Sequence, residues 1–256
     1  HVAISLGTGA NAQQIFESLN STGEPLRDHE LIHNYVLMGL SHAEQLVIED
    51  EYWAAIERST GDHIASFWAH YLVMVGGREV ATTASGRGVY DVFRTHFPRL
   101  DPVALRTLAE QWRSFAQLYA TLLDPEGEPD PEIRARLHYL NTFGRGMYPL
   151  VMALYARHRA GEIERNDLLS VLDDRQSLLL RRDVVSVGSD RLVARLVRAS
   201  REGIDALAAA ISRQTPSDDR VRVALKHSPL PHPEYVLSRL ADVDPAQDDL
   251  VIDHVF

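Results

Sequence analysis

Apolar residues recur three and four positions apart along most of the chain, which is the spacing that places side chains on one face of an α-helix. Ile64, Phe67, Trp68, Tyr71 and Leu72 form one such face. The pattern predicts a mainly α fold, a multi-helix bundle. The predicted helices span residues 11–19, 28–39, 44–58, 62–75, 90–97, 102–123, 134–143, 149–159, 165–185, 190–213, 218–227 and 234–241.

Short segments near the two ends lack this helical spacing. Residues 1–7 alternate like a strand, and residues 250–256 form a second predicted strand. Glycine and proline clusters predict breaks between the helices, above all at residues 124–131 and 229–233. We therefore expect short strand remnants at the N-terminus and the C-terminus, on either side of a helical middle region.

A polar turn interrupts the pattern at residues 20–25. Asn20 and Gly23 tolerate left-handed backbone angles and Pro25 lacks an amide donor, so no helix passes through these positions. Asp28 suits the N-cap of the helix that follows, because its carboxylate can accept hydrogen bonds from free amide groups.

This turn is a candidate site for an anionic ligand. Glu17, Asn20 and the Gly23 backbone would lie around it, beside a helix N-terminus. Such a place can bind phosphate or a metal–phosphate complex. On spacing alone, an ordinary turn without a ligand is the simpler interpretation.

The composition fits an ordinary globular protein and excludes several kinds of site and partner. The formal net charge of −10 argues against a general nucleic-acid coat but leaves room for a local basic face. The chain has no cysteine, which excludes disulfides and thiolate metal sites. No stretch approaches the roughly 20 apolar residues that a membrane span requires. We therefore expect a cytoplasmic protein with no membrane partner.

A stripe of arginines is the best candidate for such a basic face. Arg175, Arg181 and Arg182 precede this stripe in the chain. The spacing of Arg191, Arg195, Arg198 and Arg201 places four guanidinium groups near one face of a helix. One interpretation is a surface that contacts the DNA backbone, since arginine pairs well with phosphate. The other is a solvated face paired with nearby acids. Those acids are Asp173, Asp174, Asp183, Asp190, Glu202 and Asp205.

The polar turn belongs to a longer motif that resembles a known family. The chain resembles the F-E-x-x-N-x-x-G-x-x-L signature of GmrSD-type modification-dependent (type IV) restriction endonucleases, which include the SspE-type nucleases that sense DNA phosphorothioate. The signature is followed by the family's Leu-Ile-x-Asn-Tyr. The matching residues are Phe16, Glu17, Asn20, Gly23 and Leu26, then Leu31, Ile32, Asn34 and Tyr35.

The resemblance implies roles for the residues of the turn. In the family this segment belongs to a ParB-like nucleotide-handling domain. Glu17 would hold a divalent metal, such as Mg²⁺, or orient water, and Asn20 and Gly23 would contact the nucleotide. The nucleoside triphosphate would be GTP, ATP or CTP.

The end of the chain also resembles the family. Ile252, Asp253 and His254 are similar to the Ile-Glu-His phrase that opens its C-terminal His-Me finger (HNH-like) nuclease domain. By resemblance, His254 would be the general base that deprotonates the attacking water, and a nearby metal would stabilise the scissile phosphate.

The resemblance implies a three-part chain. Residues 1–40 would end the ParB-like domain, residues 41–228 would form a helical middle region, and residues 229–256 would be a linker and the start of the nuclease domain. The upstream Asp-Gly-Gln-Gln-Arg motif and the residues that complete the finger are not in this sequence, so we expect little nuclease activity from residues 1–256 alone.

The function implied is anti-phage DNA cleavage or nicking coupled to nucleotide binding and hydrolysis. Modified DNA and a nucleotide would be the partners, and a homo-oligomer is a further expectation. The alternative is a helical protein-interaction scaffold without catalytic activity, in which the turn at Asn20 and Gly23 is only structural.

Overall fold

The computed structural model describes residues 26–80, 88–98, 100–189 and 191–241. This part of the chain is mainly helical, as the spacing of apolar residues predicts, and it contains no strand. The strands predicted at residues 1–7 and 250–256, and the helix predicted at residues 11–19, lie outside the described residues. No helix in the described ranges is long and apolar enough to cross a membrane.

The α-helices are numbered α1 to α13 in chain order. Short 3₁₀ turns lie at Gly61–His63, Pro125–Gly127 and Arg145–Met147, and a π-helical segment, Ile48–Trp53, joins α2 to α3. The helices are α1 Asp28–Leu37, α2 His42–Val47, α3 Ala54–Thr60, α4 Ile64–Gly76, α5 Gly88–His96, α6 Pro102–Leu123, α7 Pro131–Thr142, α8 Tyr148–Arg159, α9 Arg165–Val184, α10 Leu192–Glu202, α11 Ile204–Gln214, α12 Asp218–Leu225 and α13 Pro233–Ala241.

The chain divides into two compact units. The first comprises His1–Leu72 and Val80–Gln117, and the second comprises Val73–Glu79 and Leu118–Phe256. The first unit has an aromatic core around Trp68 of α4, whose ring centroid lies 5.4 to 5.7 Å from those of Trp53, Phe93 and Trp112. All four side chains are at most 2% exposed. These rings therefore form a core of the first unit.

The second unit packs α9 against α7, α8 and α11, and α10 against α8 and α11. Leu140, Leu150, Leu178, Leu196 and Leu207 are fully buried in it. Burial of such side chains contributes roughly 1.5–3 kcal/mol each, which is the main force that holds the helices together.

One predicted helix is two helices in the structure. The apolar pattern predicts a single helix over residues 190–213, but α10 ends at Glu202 and α11 begins at Ile204. Gly203 lies between them with φ of 127°, a backbone conformation that only glycine adopts readily. The chain therefore reverses at this residue, and the two halves of the predicted helix pack against each other.

Candidate functional site

Phe16, Glu17, Asn20 and Gly23, four of the five residues of the F-E-x-x-N-x-x-G-x-x-L signature, lie outside the described part of the chain. The predicted general base His254 lies outside it as well. The nucleotide, metal and general-base roles of Glu17, Asn20, Gly23 and His254 therefore stay predictions. The Leu-Ile-x-Asn-Tyr segment that follows the signature, from Leu31 to Tyr35, is described and lies on α1.

Helix α1 is firmly packed in the first unit. Leu31 and Ile32 are at most 1% exposed and belong to its core. Asn34 donates from Nδ2 to the Glu30 carbonyl at 2.8 Å. The Tyr35 hydroxyl donates to the carbonyl of Phe97 at 2.8 Å and so joins α1 to the end of α5.

Asp28 does not cap its own helix, contrary to the prediction. Arg27 occupies the N-cap of α1, and its amide donates to the Glu30 carboxylate at 2.7 Å. The Asp28 carboxylate instead accepts from the amide of Tyr90 at 2.9 Å, in the first turn of α5. Burial raises the pKa of Asp28 above its ordinary value, although the amide hydrogen bonds oppose the shift.

The arginine stripe lies on and just before α10, and its members differ in their contacts. Arg191 is the N-cap, in a left-handed conformation with φ of 55°, and Arg195 is exposed. Arg198 donates to the Gly77 carbonyl at 2.5 Å. Arg201 donates to the carbonyls of Met74 and Val75 at 2.7 and 2.9 Å.

Two of the four arginines therefore stabilise the fold. Arg198 and Arg201 supply donors to carbonyls at the C-terminal end of α4, which no later turn of that helix can satisfy. Positive charge is also favourable at a helix C-terminus. The side chains of Arg191 and Arg195 make no hydrogen bond or ion pair with any other described residue.

The acids near the stripe in sequence do not pair with it among the described residues. Asp173 pairs with Arg136 and Arg239, and Asp183 pairs with His232. The interpretation of the stripe as an ion-paired face thus has no support from the described contacts.

A pocket opens between α10 and α11, and it gathers part of the stripe. Its volume is about 380 Å³. Arg195 and Arg198 line it from α10 together with Glu202, and Arg213 lines it from α11. Arg213 is a residue that the sequence interpretation missed. The remaining lining residues are Ala199, Ala206, Ala209, Ala210 and Gln214.

A second cavity, of about 460 Å³, lies between the end of α9 and α12. Val184, Val185, Val223 and Ala224 form much of its lining. Its one acid, Asp219, pairs with Arg222 at 2.9 Å. Ser186, Arg220 and Ser228 also line it, so the cavity combines an apolar wall with several polar groups.

Arg175 is the most unusual charged residue of the second unit. It is fully buried, and none of its guanidinium nitrogens has a hydrogen-bond partner among the described residues. Burial lowers the pKa of Arg175 to about 10, so the side chain still carries its charge at neutral pH. Beside it, Gln176 accepts a hydrogen bond from the Tyr235 hydroxyl of α13 at 2.8 Å.

The described residues contain no group of three or more histidine, aspartate or glutamate side chains that could hold a metal ion. The predicted metal ligand Glu17 lies outside them. The divalent metal and the nucleoside triphosphate therefore remain predictions from the resemblance.

Comparisons with protein-family models, with curated proteins and with solved structures found no match to this chain.

Proposed function

We propose that this chain is part of a bacterial anti-phage, modification-dependent DNA endonuclease of the GmrSD type. The order of the signature residues carries the proposal, because Phe16, Glu17, Asn20, Gly23 and Leu26 are followed by Leu-Ile-x-Asn-Tyr at residues 31–35. The packing of α1 supports it. A turn that leads into a helix anchored by buried side chains can be held in place, which a ligand site requires.

The reaction would couple binding and hydrolysis of a nucleoside triphosphate to DNA cleavage or nicking. Glu17 would hold a divalent metal or orient the attacking water, and Asn20 and Gly23 would bind the nucleotide phosphates. His254 would act as the general base of the nuclease. The helical region between them would transmit the nucleotide state to the nuclease.

The DNA would be contacted through its phosphates by Arg191, Arg195 and Arg198. Arg191 and Arg195 are exposed and without partners among the described residues, which suits them to an external anion. A protein of this kind would work in the cytoplasm, where it meets incoming phage DNA.

The test is nucleotide-stimulated DNA cleavage by a protein that carries this sequence together with the upstream and downstream family motifs. Glu17→Ala and Asn20→Ala should each abolish the stimulation while circular dichroism shows an unchanged fold. Glu24→Ala, at a position that the signature leaves unspecified, and Asn11→Ala, outside the signature, replace the same residue types and should leave it intact. Unchanged nucleotide hydrolysis in both signature variants would contradict the proposal.

A helical protein-interaction scaffold is the second candidate. Several large apolar side chains of α12 and α13 are exposed, notably Val223 at 58% and Leu240 at 79%. Exposed apolar patches often mark docking surfaces. A thermal-shift series with GTP, ATP and CTP plus magnesium separates the two functions, since a nucleotide bound well above its dissociation constant raises stability by a few kcal/mol. No shift with any nucleotide would favour the scaffold.

A further inference from the structure

We propose that the pocket between α10 and α11 binds a phosphate group, which Arg195 and Arg213 hold from opposite helices. The inference deepens the proposed function, and only the choice of DNA as the source of the phosphate rests on that function. A phosphodiester of the DNA backbone and the phosphate of a small molecule share this chemistry.

The turn at Gly203 creates the pocket. Arg195 lies near the start of α10 and Arg213 near the end of α11, so the reversal of the chain brings them to one site. Glu202 and Ala206 line the same pocket from either side of the turn. The site is therefore a property of the helical hairpin and of neither helix alone.

Small side chains give the pocket its depth. Four of its lining residues are alanines, so a ligand can approach the helix backbones between the longer side chains. Ala210 is buried, at 4% exposed. The volume of about 380 Å³ lies at the lower end of the range of small-ligand sites, roughly 300–1,000 Å³.

The charges of the pocket favour an anion. Three arginines line it and Glu202 is its single acidic residue, in a chain whose net charge is −10. The side chains of Arg195 and Arg213 make no hydrogen bond or ion pair with another described residue, so their guanidinium donors remain available to a ligand. Glu202 is also without an ion-pair partner in the described ranges.

Arg198 is held in place and provides a fixed third charge. One of its terminal nitrogens donates to the Gly77 carbonyl, and its stem passes close over that glycine. Guanidinium groups bind phosphate through paired, charge-assisted hydrogen bonds, which makes a multi-oxygen anion the best match for convergent arginines.

The test measures binding of a fluorescently labelled DNA duplex to the 256-residue chain by anisotropy. Arg195→Ala and Arg213→Ala should each weaken binding about ten-fold, in the range expected for a lost charge-assisted hydrogen bond. The loss should be the same for unrelated sequences, because phosphate contacts carry no sequence information. Glu202→Gln should strengthen binding, because it removes the one carboxylate of the pocket.

Arg58→Ala is the matched control. Arg58 is an exposed arginine of α3 in the first unit, so its loss changes the net charge equally without touching the pocket. This variant should bind the duplex as the unchanged chain does. Arg198 is not substituted, because its contact with Gly77 would confuse a binding effect with a folding effect.

Two further probes, inorganic pyrophosphate and GTP, identify the source of the phosphate through their thermal shifts. Should Arg195→Ala and Arg213→Ala remove these shifts and leave duplex binding unchanged, the pocket binds a small-molecule phosphate. Should both variants bind every probe as the unchanged chain does, or should no probe bind at all, the proposal is overturned. Neither result depends on Glu17 or on cleavage, so it can be told apart from failure of the proposed endonuclease.

Discussion

Gly77 illustrates how a single residue fixes the position of a charged side chain. Its φ of 62° lies in the left-handed region, and a Cβ atom there would lie 3.0 Å from Cγ of Arg198. The neighbouring Gly76 ends α4 and has open space around its missing Cβ. The two adjacent glycines thus differ: a side chain is opposed at Gly77 and can be accommodated at Gly76.

Alanine at these two positions should have effects of opposite sign. Gly77→Ala should lower the free energy of unfolding by about 1–2 kcal/mol, since the left-handed conformation is costly with a Cβ. Gly76→Ala should raise it by about 0.5–1 kcal/mol, because alanine loses less backbone freedom on folding. Urea unfolding followed by circular dichroism measures both values. A loss of stability in both variants would contradict the prediction, because Gly76 lacks the left-handed conformation of Gly77.

At the scale of elements, the carboxylate of Asp130 at the start of α7 accepts two kinds of hydrogen bond. Asp130 accepts hydrogen bonds from the amides of Glu132 and Ile133, and so caps the helix. It also accepts from the guanidinium of Arg165 at the start of α9. The hydrogen bond from Arg165 lowers the pKa of Asp130 to about 2.

This shift predicts a dependence of stability on pH. Because the pKa of Asp130 falls from 3.8 to about 2 on folding, its contribution is fully present above pH 3.8 and is lost as the pH falls through 2. Asp130→Asn keeps a good cap but removes the charge, whereas Asp130→Ala removes both and should cost about 1 kcal/mol through the cap.

Urea unfolding at a series of pH values measures the difference between the unchanged chain and Asp130→Asn. That difference should be constant at neutral pH and shrink below pH 3.8. A difference that persists undiminished to pH 2 would show that the ion pair with Arg165 is not its origin.

The helices themselves could be predicted from sequence because their signals are local. The spacing of Leu105 and Trp112 is enough to place them on one buried face of α6. Asp101 caps the same helix, as expected for an aspartate that precedes a proline at the first helical position. The apolar pattern continues through Gly203, however, so the same rule predicts one helix where there are two.

The parts of the site that the sequence did not predict depend on distant residues. Asp28 caps α5 through Tyr90, which lies 62 positions further along the chain. Arg195 and Arg213 would lie far apart on one continuous helix and share a pocket only because the chain turns at Gly203. The sequence did contain a signal for this chain reversal. Gly203 is a residue type that often ends a helix, and Asp205 is an acid of the type found in the first turn of the next helix.

For the whole molecule, the balance of charge limits how DNA can be bound. The net charge of −10 opposes a wide basic surface, while the second unit concentrates Arg195, Arg198 and Arg213 at one pocket. A small number of phosphate contacts is the binding mode that satisfies both observations.

The salt dependence of duplex binding measures that number. With two or three phosphate contacts, the slope of the logarithm of the association constant against the logarithm of the salt concentration should be about −2 to −3. Anisotropy titrations between roughly 50 and 200 mM salt give the slope. A slope of about −6 or steeper would indicate a broad basic surface and would contradict the single-pocket mode.

The aromatic core of the first unit also gives the protein an optical property. The chain has three tryptophans, Trp53, Trp68 and Trp112, and all belong to that unit. Indole emission moves to longer wavelength when water reaches the ring, so the emission maximum of the intrinsic fluorescence reports hydration of this core. Unfolding confined to the second unit would lower the helical ellipticity and leave the emission maximum unchanged.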